Sequence, residues 1–284
     1  MTRPIDVHVH PSTRHFLVDS QGPFAPVTEA YFHTRIPIRS EEEMVQDLDG
    51  QGVRAVLLGW DAETATGLPP IPNDWIAHMV RTYPGVFVAG FAGVDPWKGK
   101  AALREVERAA KELGLRGLKF QQGAQAFFPN DQRFYPLWAK AQELGTIALF
   151  HVGITGMGAG GRGGMGIRMK YTQPVYIDDV AADFPDLRII CAHPAWPWLD
   201  EMIAIAIHKP NVYIDLSGWS PKYFPPALVR DVNSRLQDKA LFGTDYPFLT
   251  HRRWLDDFAQ LDIKQEVREK VLHANAERLL GLKP

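Results

Sequence analysis

Two histidines separated by one residue on a strand point the same way, and this chain opens with such a pair in Asp6-Val7-His8-Val9-His10. Side chains alternate across a strand, so Asp6 is expected to share the face of His8 and His10. Pro11 ends the run directly after the pair. Three further metal-type residues close apolar runs. They are His151 after Ile147-Ala148-Leu149-Phe150, His193 after Leu187-Arg188-Ile189-Ile190-Cys191-Ala192, and Asp245 after Ala240-Leu241-Phe242-Gly243-Thr244. An isolated His-x-His can be no more than two polar residues on a half-buried strand. Repetition of the pattern at four strand ends argues for a shared purpose. Imidazoles and a carboxylate that converge on one point hold a divalent cation.

Convergence needs a scaffold, and the rest of the chain supplies one. Strand-like segments run over Ile5–Val9, Arg54–Gly59, Val86–Gly93, Leu115–Phe120, Thr146–Val152, Leu187–Ala192, Val212–Leu216 and Ala240–Gly243. Amphipathic helical stretches separate them. Ser40-Glu41-Glu42-Glu43 reads as a capping box, Asn73 and Asp131 as N-caps, and Pro174 as a first-turn residue. Gly114 and Gly145 stop helices just before the next strand. Eight strand–helix units predict an α/β fold, a single (β/α)8 barrel across residues 1–284, with the strand ends gathered on one face. Long loops follow the first strand (Pro11 to Arg39) and the fifth (Gly153 to Tyr171). On that face such loops build a substrate pocket or a lid.

Composition narrows the function classes. At 284 residues and 31.9 kDa, with 45% hydrophobic and 23% charged residues, the chain has the balance of a soluble globular protein. The lone Cys191 excludes an internal disulfide and a thiolate cluster, and its apolar neighbours predict a packed thiol. A formal net charge of -2 gives nucleic acid no purchase. No apolar stretch is long enough to span a membrane. Met1–Asp6 lacks the apolar core of a signal peptide, so a cytoplasmic enzyme is the expectation.

The Asp-x-His-x-His run, together with His151, His193 and Asp245, resembles the amidohydrolase superfamily. Leu241-Phe242-Gly243-Thr244-Asp245-Tyr246-Pro247-Phe248 and the terminal Asn275-Ala276-Glu277-Arg278-Leu279-Leu280 are similar to its amidohydrolase-2 branch, over the full chain. That branch holds aminocarboxymuconate semialdehyde decarboxylases, resorcylate-type decarboxylases, and lactone or C–C bond hydrolases. The resemblance implies that His8, His10, His151 and Asp245 bind one divalent ion. Zinc is the first expectation and manganese the second. It implies that His193 stays off the metal as acid/base, with Asp245 beside it in the catalytic set. In dinuclear relatives a lysine at the place of Lys119 is carboxylated; with one metal, a free ammonium facing a substrate carboxylate or carbonyl is expected instead.

Gly156 to Gly161 satisfies G-x-G-x-x-G, but the next helix starts near Pro174 rather than at the last glycine, which excludes the dinucleotide reading. The loop is expected to be a lid that uses Arg162, Arg168 and Lys170 on an anionic substrate. Trp196 and Ser217, just beyond the sixth and seventh strands, complete the candidate substrate contacts. Two reactions fit. A metal-activated water attacks a carbonyl in a C–C, thioester-linked β-keto or lactone substrate of aromatic catabolism, a hydrolase; or carbon dioxide leaves an aromatic or muconate-type acid, a decarboxylase. The sequence reading places hydrolysis first, by likeness to hydroxyphenyl β-ketoacyl-CoA hydrolases. A barrel that binds a ligand without turnover is the third reading. The partner expected is a small, anionic molecule, and a homodimer is compatible with this picture.

Overall fold

The computed structural model describes residues 2–282. Eight strands form one parallel sheet in sequence order. They are β1 (Ile5–Val9), β2 (Arg54–Leu58), β3 (Phe87–Gly93), β4 (Gly117–Phe120), β5 (Ile147–His151), β6 (Arg188–Ala192), β7 (Val212–Asp215) and β8 (Ala240–Leu241). Each lies within the segment expected from the sequence. β8 is only two residues long, and the sheet closes onto β1 through loop hydrogen bonds. Val7 N–H donates to Phe242 O at 3.0 Å, Asp245 N–H to His8 O at 3.1 Å, and His10 N–H to Tyr246 O at 2.8 Å. Among the described residues no helix is long and apolar enough to cross a membrane.

Alternation along the strands sorts the core into two layers. Ile5, Val7, Val56, Leu58, Ala89, Phe91, Ile147, Leu149, Ile190, Ala192 and Leu241 form the inner cluster, with Leu279 and Leu280 of the last helix packed against it. The opposite faces, including Ala55, Leu57, Leu118, Phe120, Ala148, Phe150, Val212 and Ile214, pack against the surrounding helices. Polar residues take over at the strand ends, where Lys119, His151 and Asp215 continue the inner-facing sets.

The β1 register shifts between Asp6 and Val9. Such a bulge re-aims the side chains beyond it. His8 and His10 still share a face, but Asp6 does not join them, contrary to simple alternation. Its carboxylate lies 2.8 Å from His251 Nε2, accepts from the Thr244 hydroxyl, and accepts from Thr244 N–H at 3.2 Å. Asp6 thus anchors the loop that carries Asp245.

Ser40 and Glu43 form the reciprocal capping box, and Asp131 caps the turn at Gln132–Phe134. Gly114 and Gly145 adopt φ of +70° and +64°. Asn73 is not a cap: it lies inside its helix, and its amide bonds both backbone groups of Gly93 at the end of β3. The segment after β1 is helical rather than an open loop. A π-helix at His15–Ser20, a short turn at Gly22–Phe24 and a helix at Ala25–Tyr31 lie over the barrel mouth.

Candidate active site

Every expected metal-type residue is at the C-terminal mouth of the barrel and buried. His8 Nε2 lies 3.3 Å from His10 Nε2 and 3.3 Å from Asp245 Oδ1, and His10 Nε2 lies 3.6 Å from the same oxygen. These three donors are mutually within 4.8 Å. Asp245 reaches the cluster from a strained backbone, with φ of +66°, which costs about 1–3 kcal/mol and persists where the surroundings hold it. The Asp6–Thr244 bonds provide that hold.

Each imidazole is oriented by what it touches. His8 Nδ1–H donates to Asp215 Oδ2 at 2.7 Å, which leaves the Nε2 lone pair turned toward His10 and Asp245. A histidine fixed by a carboxylate behind it is the usual support of a metal ligand. His10 Nδ1 has no hydrogen-bond partner. Its ring is instead stacked on Phe16, with centroids 4.6 Å apart and planes 7° from parallel. Lys119 Nζ donates to His8 Nε2 at 3.1 Å, so a cationic group already faces this donor set.

His151 and His193 form a second pair. His193 Nε2 and His151 Nδ1 are 3.0 Å apart, and His151 Nε2–H donates to Ile154 O at 3.1 Å. His151 therefore stands outside the compact His8–His10–Asp245 trio, against the four-ligand expectation. Ser217 Oγ links the two halves of the site, at 2.9 Å from His193 Nδ1, 3.1 Å from His8 Nδ1 and 2.9 Å from Asp215 Oδ2. Gly218 permits this packing: a Cβ there would lie 2.6 Å from His193 Nδ1, and its φ is +74°.

Burial sets the electrostatics. It holds His8, His10 and His151 well below their ordinary pKa, with Lys119 adding to the effect, so all three present lone pairs at neutral pH. His193 is lowered to about 3, again by burial and then by Lys119. Burial lowers Lys119 to about 8 against the pull of Asp245 and Asp215. It raises Asp245 to about 7, opposed by Lys119, and pushes Asp215 upward, opposed by the Ser217 hydroxyl. Cys191 is buried and its thiol is pushed upward, as a packed, inert group would be.

The donor set fits a divalent cation. It offers two neutral imidazoles and one carboxylate at short mutual distance, with one ring braced from behind by a carboxylate. His8, His10 and Asp245 would hold it, with His151 and His193 alongside.

Above this floor lies a cleft with about 550 Å³ of empty space, counting its open mouth. Phe16, Phe32, Trp60, Trp219 and Phe248 wall it with aromatic rings, and Gln21, Lys119, Gln121 and Thr155 supply polar groups. Lys119 was expected there. Four other expected substrate contacts lie elsewhere. Ser217 is fully buried behind the histidines rather than in the lining. Trp196 is 53% exposed and turned outward, while Trp219 takes the wall position. Arg162 and Arg168 are exposed, because the glycine-rich loop meets the cleft with Ile154, Thr155, Gly156 and Met157 and carries its cations away from it. Lys170 lies over the Phe128 and Tyr171 rings. Trp60 and Trp219 were missed, although each follows a strand end.

A solved structure of an uncharacterized TIM-barrel protein from Bordetella bronchiseptica is similar, with a TM-score of 0.81 and 27% identity over 99% of both chains. A dihydroxybenzoic acid decarboxylase from Polaromonas sp. JS666, solved with bound manganese and the inhibitor 2-nitroresorcinol, shares the fold at a TM-score of 0.72 and 21% identity, covering 99% of this chain and 98% of that one. Among curated proteins, a gamma-resorcylate decarboxylase of Polaromonas sp. (strain JS666) is 23% identical over 330 aligned positions and 99% of each chain. The Amidohydrolase family model matches residues 5–282. The chain belongs to the amidohydrolase superfamily, in its amidohydrolase-2 branch.

Proposed function

We propose that this protein is a metal-dependent decarboxylase of a small aromatic or muconate-type carboxylic acid. Hydrolysis, which the sequence reading placed first, has less behind it. The observation that carries the choice is the cleft: a small aromatic-walled chamber in which Lys119 is the only lysine or arginine of the lining. That suits a small planar acid with a carboxylate set against Lys119. A thioester of a phosphate-rich carrier would need more room and more countercharge. Likeness to the gamma-resorcylate decarboxylase over nearly the whole chain supports the same reading.

In this reading the aromatic walls hold the ring flat and exclude water. A divalent ion bound by His8, His10 and Asp245 would grip substrate oxygens and draw charge from the reacting carbon. Lys119 pairs with the carboxylate and orients it across the cleft. The bond from ring to carboxyl breaks, carbon dioxide leaves, and the electron pair remains on the ring carbon. His193 Nε2 delivers the proton that replaces the carboxyl group. The ring is neutral at rest, so the proton it passes on is one drawn from solvent during turnover. Ser217 Oγ, between Asp215 and His193 Nδ1, keeps the ring oriented for that transfer.

The test is direct. Manganese-loaded and zinc-loaded protein is offered hydroxylated benzoates, muconate-type acids, aryl lactones and β-ketoacyl thioesters, with carbon dioxide and product followed by mass spectrometry. Release of carbon dioxide with one equivalent of the decarboxylated product is expected. Cleavage of a lactone or thioester, with no acid decarboxylated, would sink the proposal.

A further inference from the structure

Gln21 is a wall residue whose buried amide oxygen is left unsatisfied among the described residues. It is 3% exposed and borders the cleft, yet its Oε1 has no hydrogen-bond partner. Leaving a buried amide oxygen unpaired costs free energy, and native proteins do so rarely without a ligand or water to complete it. The backbone at this position is held in place. Gln21 ends the π-helix at His15–Ser20, and its N–H donates to Phe16 O at 2.9 Å. The next residue, Gly22, has φ of +48°, and a Cβ there would lie 2.8 Å from Leu68. Wide turns of this kind recur at functional sites because they re-aim the residues that follow. Here the same turn stacks Phe16 on His10 and delivers Gln21 to the cleft.

Gln21 comes from the helical cap over the mouth, between the cleft and a smaller cavity lined by Leu17 and Ile36, whereas Lys119 and the metal-type trio form the floor. A planar acid with its carboxylate on the floor would present its far edge to the cap. We infer that Gln21 is a specificity-determining residue, accepting a hydrogen bond from a hydroxyl on the substrate ring remote from the reacting carboxylate. This deepens the aromatic-acid reading and rests on it. The substrate class becomes an aryl acid that carries such a hydroxyl.

The experiment measures binding by isothermal titration of manganese-loaded protein with benzoate and its 2-, 3- and 4-hydroxy derivatives. Wild type is compared with Gln21→Met and Gln21→Asn, the second keeping the amide but shortening its reach. In wild type, a 3- or 4-hydroxyl should tighten binding by roughly three- to tenfold, the scale of one neutral hydrogen bond. Both variants should lose that increment and leave benzoate affinity within about twofold. Gln21→Met should melt at or above the wild-type temperature, because it removes an unpaired buried polar group. Equal hydroxyl increments in all three proteins would overturn the assignment, as would no binding by any of these acids or a melting temperature lowered by several degrees in Gln21→Met. Carbon dioxide assays separate this from the proposed reaction. Hydroxyl-dependent binding without carbon dioxide release refutes the reaction but supports Gln21, and release with equal increments does the reverse.

Discussion

At the scale of single residues the proposed site divides into groups that would hold a cation and groups that would move protons, and substitution should separate them. His8→Ala and Asp245→Asn should each lose bound metal and turnover together, read by elemental analysis of chelator-free preparations. A metal-free yet fully active variant would refute the assignment. His193→Asn should retain its metal while turnover falls by about 10²–10⁴-fold, the usual contribution of an acid–base group. Loss of metal in that variant would make His193 a ligand. Acid provides an independent check. The His193 ring is held down to about 3 from an ordinary 6.5. Between those values the unfolded chain binds more protons than the folded, metal-free protein. The contribution to stability is therefore complete above about pH 6.5 and is lost as pH falls toward 3. At about pH 5 this amounts to roughly 2 kcal/mol. The melting temperature of metal-free His193→Asn should thus fall less steeply with acid than that of wild type, and parallel curves would contradict the buried neutral ring.

At the scale of elements, the cap after β1 and the loop after β5 make opposite contributions to the cleft. Phe16 of the cap is buried against His10, Trp60 and Phe248. Phe16→Ala should cost about 3–5 kcal/mol of stability and weaken metal binding, since stacking is what orients the His10 ring. Unchanged metal affinity, measured with a competing chelator, would show that His10 is held otherwise. The loop after β5 presents its cations to solvent, so Arg162→Ala with Arg168→Ala should change KM by no more than about twofold. A tenfold rise would mean that the loop refolds onto bound substrate. These elements also show what a sequence can and cannot reveal. The strands and the placement of His8, His10, His193 and Asp245 were legible because apolar runs repeat eight times and four of them end in metal-type residues. The cap was not, because a π-helix has no familiar periodicity and its apolar residues make sense only against rings from β2 and β8. Asp6 was misassigned to the inner face because a bulge leaves no mark in the residue pattern. Trp196 and Trp219 look alike in sequence; only the path of the chain after β6 and β7 decides which ring faces the cleft.

At the scale of the molecule, the seam between β1 and β8 has a consequence for folding. One of the three clustered donors lies in the first strand, the second directly follows it and the third follows the last, and loop bonds rather than a strand ladder join those strands. An ion bound there would act as a cross-link between chain segments more than two hundred residues apart. Closing so long a loop removes conformational entropy from the unfolded ensemble. Its capture must also wait until almost the whole polypeptide has folded, so cation uptake during refolding should follow the final cooperative phase and never precede it. A fragment ending before β8 would show only weak, unselective binding. The bound protein should be more stable at equilibrium than the stripped one, with the gain growing as free ion rises above its dissociation constant, by about 2.7 kcal/mol at a hundredfold excess. Stopped-flow refolding with a metal-quenched dye would show the order of events. Early uptake, ahead of barrel closure, would mean that the clasp forms locally and that the two ends of the sheet find each other by other means.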